Sequence, residues 1–136
     1  MKKLFYVMSF VFIISCGEEP ERCETFKLGK FYVFFGGSKA SYYKINRTND
    51  KQIELDTKGN KVFYTVKWLS KCSYVSKFDS EKNELTPEMK MINEDGGLVV
   101  VLENTPSREK CINYTSYVKD YEESSKRTGM FCKGND

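Results

Sequence analysis

The stretch KVFYTVKW, residues 61–68, constrains the fold of this chain more than any other. Along an extended backbone Val62, Tyr64, Val66 and Trp68 point one way, and Lys61, Phe63, Thr65 and Lys67 the other. A period of two built from β-branched and aromatic residues predicts a strand. The turn sequence DTKGN (56–60) precedes it, with Gly59 and Asn60 tolerant of positive φ, and Ile53 and Leu55 alternate in the segment before that, so the whole reads as a hairpin. Further strands are predicted at 24–35, 40–48, 72–78, 97–103, 109–119 and 127–133, about eight in all. A meander of short antiparallel strands has to hide its edges, either by closing into a small barrel or by stacking as a two-sheet sandwich. The expected fold is therefore mostly β. One short helix is expected near 86–92, where Thr86 offers a capping hydroxyl, Pro87 suits the first helical position and Glu88 suits the first turn, with Gly96 and Gly97 ending the pattern. LVVVL (98–102) is apolar on both faces, as befits a strand covered on both sides or lying under that helix.

The amino terminus follows a different logic. Lys2 and Lys3 are followed by an apolar run from Leu4 to Ile14, then by small Ser15 and Cys16. That is the order of zones in a cleavable secretory signal. Eleven apolar residues in a helix at ~1.5 Å each reach about half of a ~30 Å hydrocarbon layer, too short for a permanent span.

Ile13, Ile14, Ser15 and Cys16 resemble the lipobox of bacterial lipoproteins, an aliphatic, a variable and a small residue before an obligatory cysteine. The resemblance implies a diacylglycerol on the Cys16 sulfur, cleavage of residues 1–15, and acylation of the new amino group by a chain such as palmitate. A thiol suits this chemistry because its thiolate is a far better nucleophile near neutral pH than a serine hydroxyl. Several acyl chains at ~0.8 kcal/mol per buried methylene make a firm anchor. Gly17 stands where an inner-membrane retention aspartate would sit, so the expected location is the outer membrane, facing the periplasm or the outside. Residues 16–22, with Glu18, Glu19, Pro20 and Glu21, read as a lipidated tether, and 23–136 as a single β-rich domain.

Two of the 22 basic residues leave with the leader, so 20 face 19 acids, a balance that argues against nucleic acid as a partner. Once Cys16 is lipidated, Cys23, Cys72, Cys111 and Cys132 form an even set suited to an oxidising compartment, with three possible pairings. The preferred one is Cys23 with Cys72, flanking the amino-terminal half, and Cys111 with Cys132 in the closing segment. Without histidine or a CxxC pair the chain is expected to hold no metal or other cofactor, and no imidazole-based catalytic triad can form. An enzyme is not expected. Carboxylate pairs such as Glu54 with Asp56 read as turn or solvated positions.

Within LGKFY (28–32) the glycine and Phe31 resemble the glycine-x-tryptophan opening of lipocalins, with phenylalanine in place of tryptophan. A longer likeness, in CETFKLGKFY (23–32), INRTNDKQIE (45–54) and VKWLSKCSY (66–74), resembles a group of small bacterial envelope lipoproteins with no established activity.

The candidate ligand-binding residues are Phe31, Tyr64 and Trp68, large aromatics on strands that could wall an apolar pocket. KASYYKINR (39–47) interleaves tyrosines with Lys39, Lys44 and Arg47. On a strand, though, Tyr42 and Lys44 share one face while Tyr43, Ile45 and Arg47 share the other, which divides the patch. The expected role is a monomeric, lipid-anchored binding or structural module at the envelope, taking a small apolar ligand or an envelope protein. The rivals are an inhibitor of an envelope-attacking hydrolase and, more remotely, a carboxylate enzyme. A cavity of several hundred Å³ walled by the three aromatics favours the ligand binder. A filled interior with a loop protruding near Cys111 favours the inhibitor, and two carboxylates ~5–9 Å apart in a cleft favour the enzyme.

Overall fold

The computed structural model describes residues 22–35, 42–104 and 110–134. The lipobox, Cys16, the acidic tether to Glu21 and Lys39 lie outside the described residues. Eight antiparallel strands follow one another in order and close into a barrel: β1 (Gly29–Phe35), β2 (Tyr42–Arg47), β3 (Lys51–Leu55), β4 (Lys61–Trp68), β5 (Ser73–Phe78), β6 (Leu98–Leu102), β7 (Cys111–Val118) and β8 (Arg127–Lys133). β1 pairs with β8 from Phe31 opposite Lys133 to Phe35 opposite Gly129, which seals the ring and leaves no sheet edge. Of the two closures open to a meander, this chain takes the barrel.

Alternation along each strand sorts the side chains. Phe31, Val33, Ile45, Val66, Tyr74, Val100, Ile112, Tyr114 and Phe131 face inward and are buried. Between them in β1, Tyr32 and Phe34 face outward, where both rings meet Tyr42 of β2 at 5.5 and 6.0 Å between centroids. The β3–β4 hairpin turns on Asp56, whose carboxylate accepts from the Lys58 and Asn60 backbone N–H groups at 2.8 Å each and from the Asn60 side-chain amide. Gly59 takes φ 89° at the tip, a conformation that glycine reaches without Cβ strain.

The predicted helix is present as α1 (Pro87–Glu94), capped by Thr86, whose hydroxyl accepts from the Met89 N–H at 3.2 Å. Asn93 fastens it to β5 by bonding both the N–H and the carbonyl of Phe78. Two further helical pieces were not anticipated. Lys119–Tyr121 and α2 (Glu122–Ser125) join β7 to β8. At the other end, the first predicted strand begins at Gly29 rather than at 24, because Arg22–Phe26 form a 3-10 helix, starting one residue inside the expected tether. In a 3-10 turn residues three apart lie on one side, so Cys23 and Phe26 are buried together. Val99 of LVVVL is buried on the outer face while Val101 is 38% exposed, so that face is only half covered.

Both disulfides take the preferred pairing. Cys23–Cys72 ties the 3-10 helix to the β4–β5 connection, and Cys111–Cys132 staples paired positions of β7 and β8.

Candidate functional site

The strands alternate in direction, so one end of the barrel gathers Gly29, Arg47, Trp68, Ser73 and Lys133, and the 3-10 helix closes it. This floor is built around Arg47, 2% exposed although charged. Its Nε donates to Gln52 Oε1 at 2.7 Å, one terminal nitrogen to the Phe26 carbonyl at 3.0 Å and the other to the Tyr74 hydroxyl at 2.7 Å. The guanidinium carbon lies 4.4 Å from the Tyr74 ring centre, 5.1 Å from Phe131, 5.5 Å from Phe31 and 6.0 Å from Trp68. A weakly hydrated planar cation suits such aromatic surroundings better than an ammonium does. Phe26 stacks on Phe31 at 5.6 Å, and Arg22 donates to the Cys111 carbonyl.

Above the floor lies an interior space of about 190 Å³ to which all eight strands contribute. Its lower wall is Ile45, Tyr74, Val100 and Phe131, and its upper wall includes Phe35, Leu98 and Ser116. Among the described residues Glu54 is the one formally charged member of that lining. Its carboxylate accepts from Gln52 Nε2 at 3.0 Å and from the Tyr64 hydroxyl at 3.1 Å. Gln52 faces both ways: its carbonyl receives Arg47 and its amide serves Glu54, so one hydrogen-bonded chain runs from the floor to the cavity. Burial raises the Glu54 carboxyl above its ordinary pKa, opposed by the bonds from Tyr64 and Gln52 and by the Arg47 charge. Burial also raises the Tyr64 and Tyr114 phenols and pushes Tyr74 up to about 12, so all three stay neutral at physiological pH. Ser76 also faces the space and is 4% exposed.

The three aromatics singled out from sequence do not form one wall. Tyr64 lines the cavity, its ring 4.8 Å from Phe78, but Phe31 and Trp68 belong to the floor, packed with Arg47 beneath the open space. A cavity walled by all three is therefore not what forms, because a buried arginine fills the place where they meet. Nor is Glu54 a solvated partner of Asp56: the strand turns Glu54 inward, while Asp56 remains in the hairpin turn. Ile53 and Leu55, the apolar members of β3, face outward with Lys30, Lys44 and Lys61 in an exterior groove of about 890 Å³. Tyr43, Ile45 and Arg47 do share the inner side of β2, as alternation requires. The segment preceding Cys111, residues 105–109, lies outside the described residues.

Arg47, Gln52 and Glu54 shape the candidate site, yet sequence reasoning placed none of them among the binding residues. Their signal was parity: Arg47 falls in step with Ile45 on β2, and β3 places Gln52 opposite Arg47 and Glu54 opposite Ile45. No group of three or more metal-ligating side chains occurs among the described residues. No protein-family model, curated protein or solved structure matches this chain.

Proposed function

We propose that this chain is a lipid-anchored protein of the bacterial outer membrane that holds a small ligand inside its barrel. The observation that carries the reading is the interior space, lined from all eight strands above a filled floor, with apolar walls and a few convergent polar groups. A rigid closed sheet presents those groups in fixed positions, which lowers the ordering cost of binding. At about 190 Å³ the space is below the ~300–1,000 Å³ of drug-sized pockets, so the ligand is compact. The lipobox supplies the anchor at Cys16, and two disulfides in a chain of this size fit an exported protein. The arrangement of a calyx stoppered at one end, with Gly29 opening β1, supports the lipocalin-like reading of LGKFY.

Two measurements test this. Mass spectrometry of protein recovered from membranes under non-reducing conditions is expected to find cleavage before Cys16, acyl chains on it and both disulfides intact; an uncut leader contradicts the anchor. Titration with 2-phenylethanol, a neutral compact probe, is expected to give saturable binding that Ser116→Trp abolishes by filling the upper part of the cavity. Binding unaffected by that substitution contradicts an interior site.

A further inference from the structure

We propose that the barrel interior is a subsite for a small organic cation, a primary ammonium carried on a compact apolar or aromatic body, with Glu54 as its counter-ion. The inference deepens the ligand-binding reading and rests on it.

Among the described residues the cavity lining contains one carboxylate and no cationic side chain. Arg47, the nearest fixed positive charge, is outside that lining and has already committed three of its nitrogens to the floor. Among those residues an anionic ligand would find no uncommitted cation and would meet Glu54. A cation, in contrast, finds a carboxylate that keeps acceptor capacity beyond the two bonds it receives, since two carboxylate oxygens provide about four lone-pair sites.

The second observation is Ser76, 4% exposed and lining the same space with a hydroxyl that can both donate and accept. A hydroxyl carries two acceptor lone pairs, so it can receive a ligand donor. An ammonium has three donors, enough for Glu54 and a hydroxyl together. The third is the ring content of the walls. Tyr64 lines one side, and Tyr114 and Phe131, stacked at 4.4 Å, line the other. Aromatic faces attract cations, more so when water is excluded, and also accept an apolar ligand body. The space has about the volume of six water molecules at ~30 Å³ each, so the ligand has roughly the size of a phenylalkylamine or smaller.

Protonation follows from the same geometry. Among the described residues the titratable or charged groups around Glu54 are Arg47 on β2, Tyr64 on β4, Tyr74 on β5 and Tyr114 on β7, with Tyr43 of β2 acting on Tyr64. β1 and β6 contribute Val33, Phe35, Leu98 and Val100 to the lining, and β8 contributes Phe131, none of which titrates. Arg127 at the upper end of β8 is turned to the Lys126 carbonyl. Ammonium binding therefore draws on the ionised form of Glu54 alone, and affinity rises as pH increases through its elevated pKa.

The test is calorimetric titration of the intact oxidised protein with three matched probes: 2-phenylethylamine, 2-phenylethanol and 3-phenylpropionate. The amine is expected to bind at least tenfold more tightly than the alcohol, and the propionate to bind most weakly. Glu54→Gln, close in shape, is expected to remove the amine's advantage while sparing the alcohol. If that variant does not fold, the wild-type pH series decides: amine affinity must climb with pH while alcohol affinity does not. An amine no better than the alcohol, or a preference for the propionate, overturns the cation subsite but leaves the calyx standing. Failure of all three probes overturns both.

Discussion

Tyr74 accepts a hydrogen bond from Arg47 at 2.7 Å, and the same guanidinium lies 4.4 Å from the Tyr74 ring centre. One residue thus meets the cation both as an acceptor and as a π surface, and this pair anchors the floor on which the cavity rests. A buried charge is tolerated only when its donors are used and its surroundings are polarisable. Arg47 meets both conditions with three acceptors and four rings.

Truncation of that side chain is expected to be severe. Arg47→Ala leaves Gln52, Tyr74 and the Phe26 carbonyl without their donor and opens a void beneath four rings, a loss of about 3–5 kcal/mol. Arg47→Met keeps much of the volume and is expected to cost about 1–3 kcal/mol. Urea midpoints at constant slope measure both. An alanine variant within about 0.5 kcal/mol of the parent would show that the floor does not depend on this residue.

Gly129 yields a second prediction, through the absence of a side chain. A Cβ there would stand 2.5 Å from the Tyr114 hydroxyl oxygen and 2.6–2.7 Å from ring carbons, because the Tyr114 ring lies across the glycine on its way to Phe131. Gly129→Ala is therefore expected to destabilise by about 1–3 kcal/mol through overpacking. The same change in a Tyr114→Ala background is expected to cost far less, a coupling that a double-mutant cycle reads directly. Equal costs in both backgrounds would rule out this contact as the cause.

Much of this architecture was legible in the sequence. Lys61–Trp68 alternates because β4 has one face in the barrel, and the turn at Asp56–Asn60 is specified by chemistry that acts within five residues. Parity of the cysteines fixed their count in crosslinks, and their positions suggested the pairing. The inner side of β3 was less accessible to such reading. Hydrophobic alternation favours Ile53 and Leu55 as core, but the barrel turns Gln52 and Glu54 inward because Arg47 on the neighbouring strand needs Gln52 as its acceptor. That requirement links residues across a strand pair and leaves no trace in local periodicity. The 3-10 helix at Arg22–Phe26 was hidden for a related reason: what fixes it is the hole it fills and the bond to Cys72, both set by distant residues.

Glu54 predicts a pH dependence of stability. Its folded-state pKa is raised by burial, so between its ordinary unfolded value and the raised one the folded protein holds a proton that the unfolded chain has lost. The contribution of Glu54 to stability is therefore greatest at low pH, declines as pH rises through that window and is then constant. Asp56, whose pKa is lowered by its bonds to Asn60, works in the opposite direction, so the comparison has to be made against Glu54→Gln. Subtracting the two stability curves is expected to leave a decline with rising pH; a flat difference would place Glu54 in an environment no different from water.

The disulfides differ in what they hold. Cys23–Cys72 spans 49 residues and Cys111–Cys132 spans 21, which on chain entropy corresponds to about 4 and 3 kcal/mol. Only the first fastens the 3-10 helix over the floor, where Trp68 packs 4.9 Å from Tyr74. Replacing Cys23 and Cys72 by alanine is expected to shift the emission of the sole tryptophan to the red under native conditions; replacing Cys111 and Cys132 is expected to lower stability without that shift. Identical emission changes in the two variants would contradict the assignment of the floor to the first crosslink.

The most direct measurement of the central claim, that the barrel interior is the binding site, is amide chemical-shift mapping with saturating 2-phenylethylamine. The shifts are expected at Glu54, Ser76, Val100 and Ser116, which line the cavity, with Lys30, Lys44 and Ile53 of the exterior groove unmoved. Shifts confined to Lys30, Lys44 and Ile53, with the interior residues silent, would contradict it.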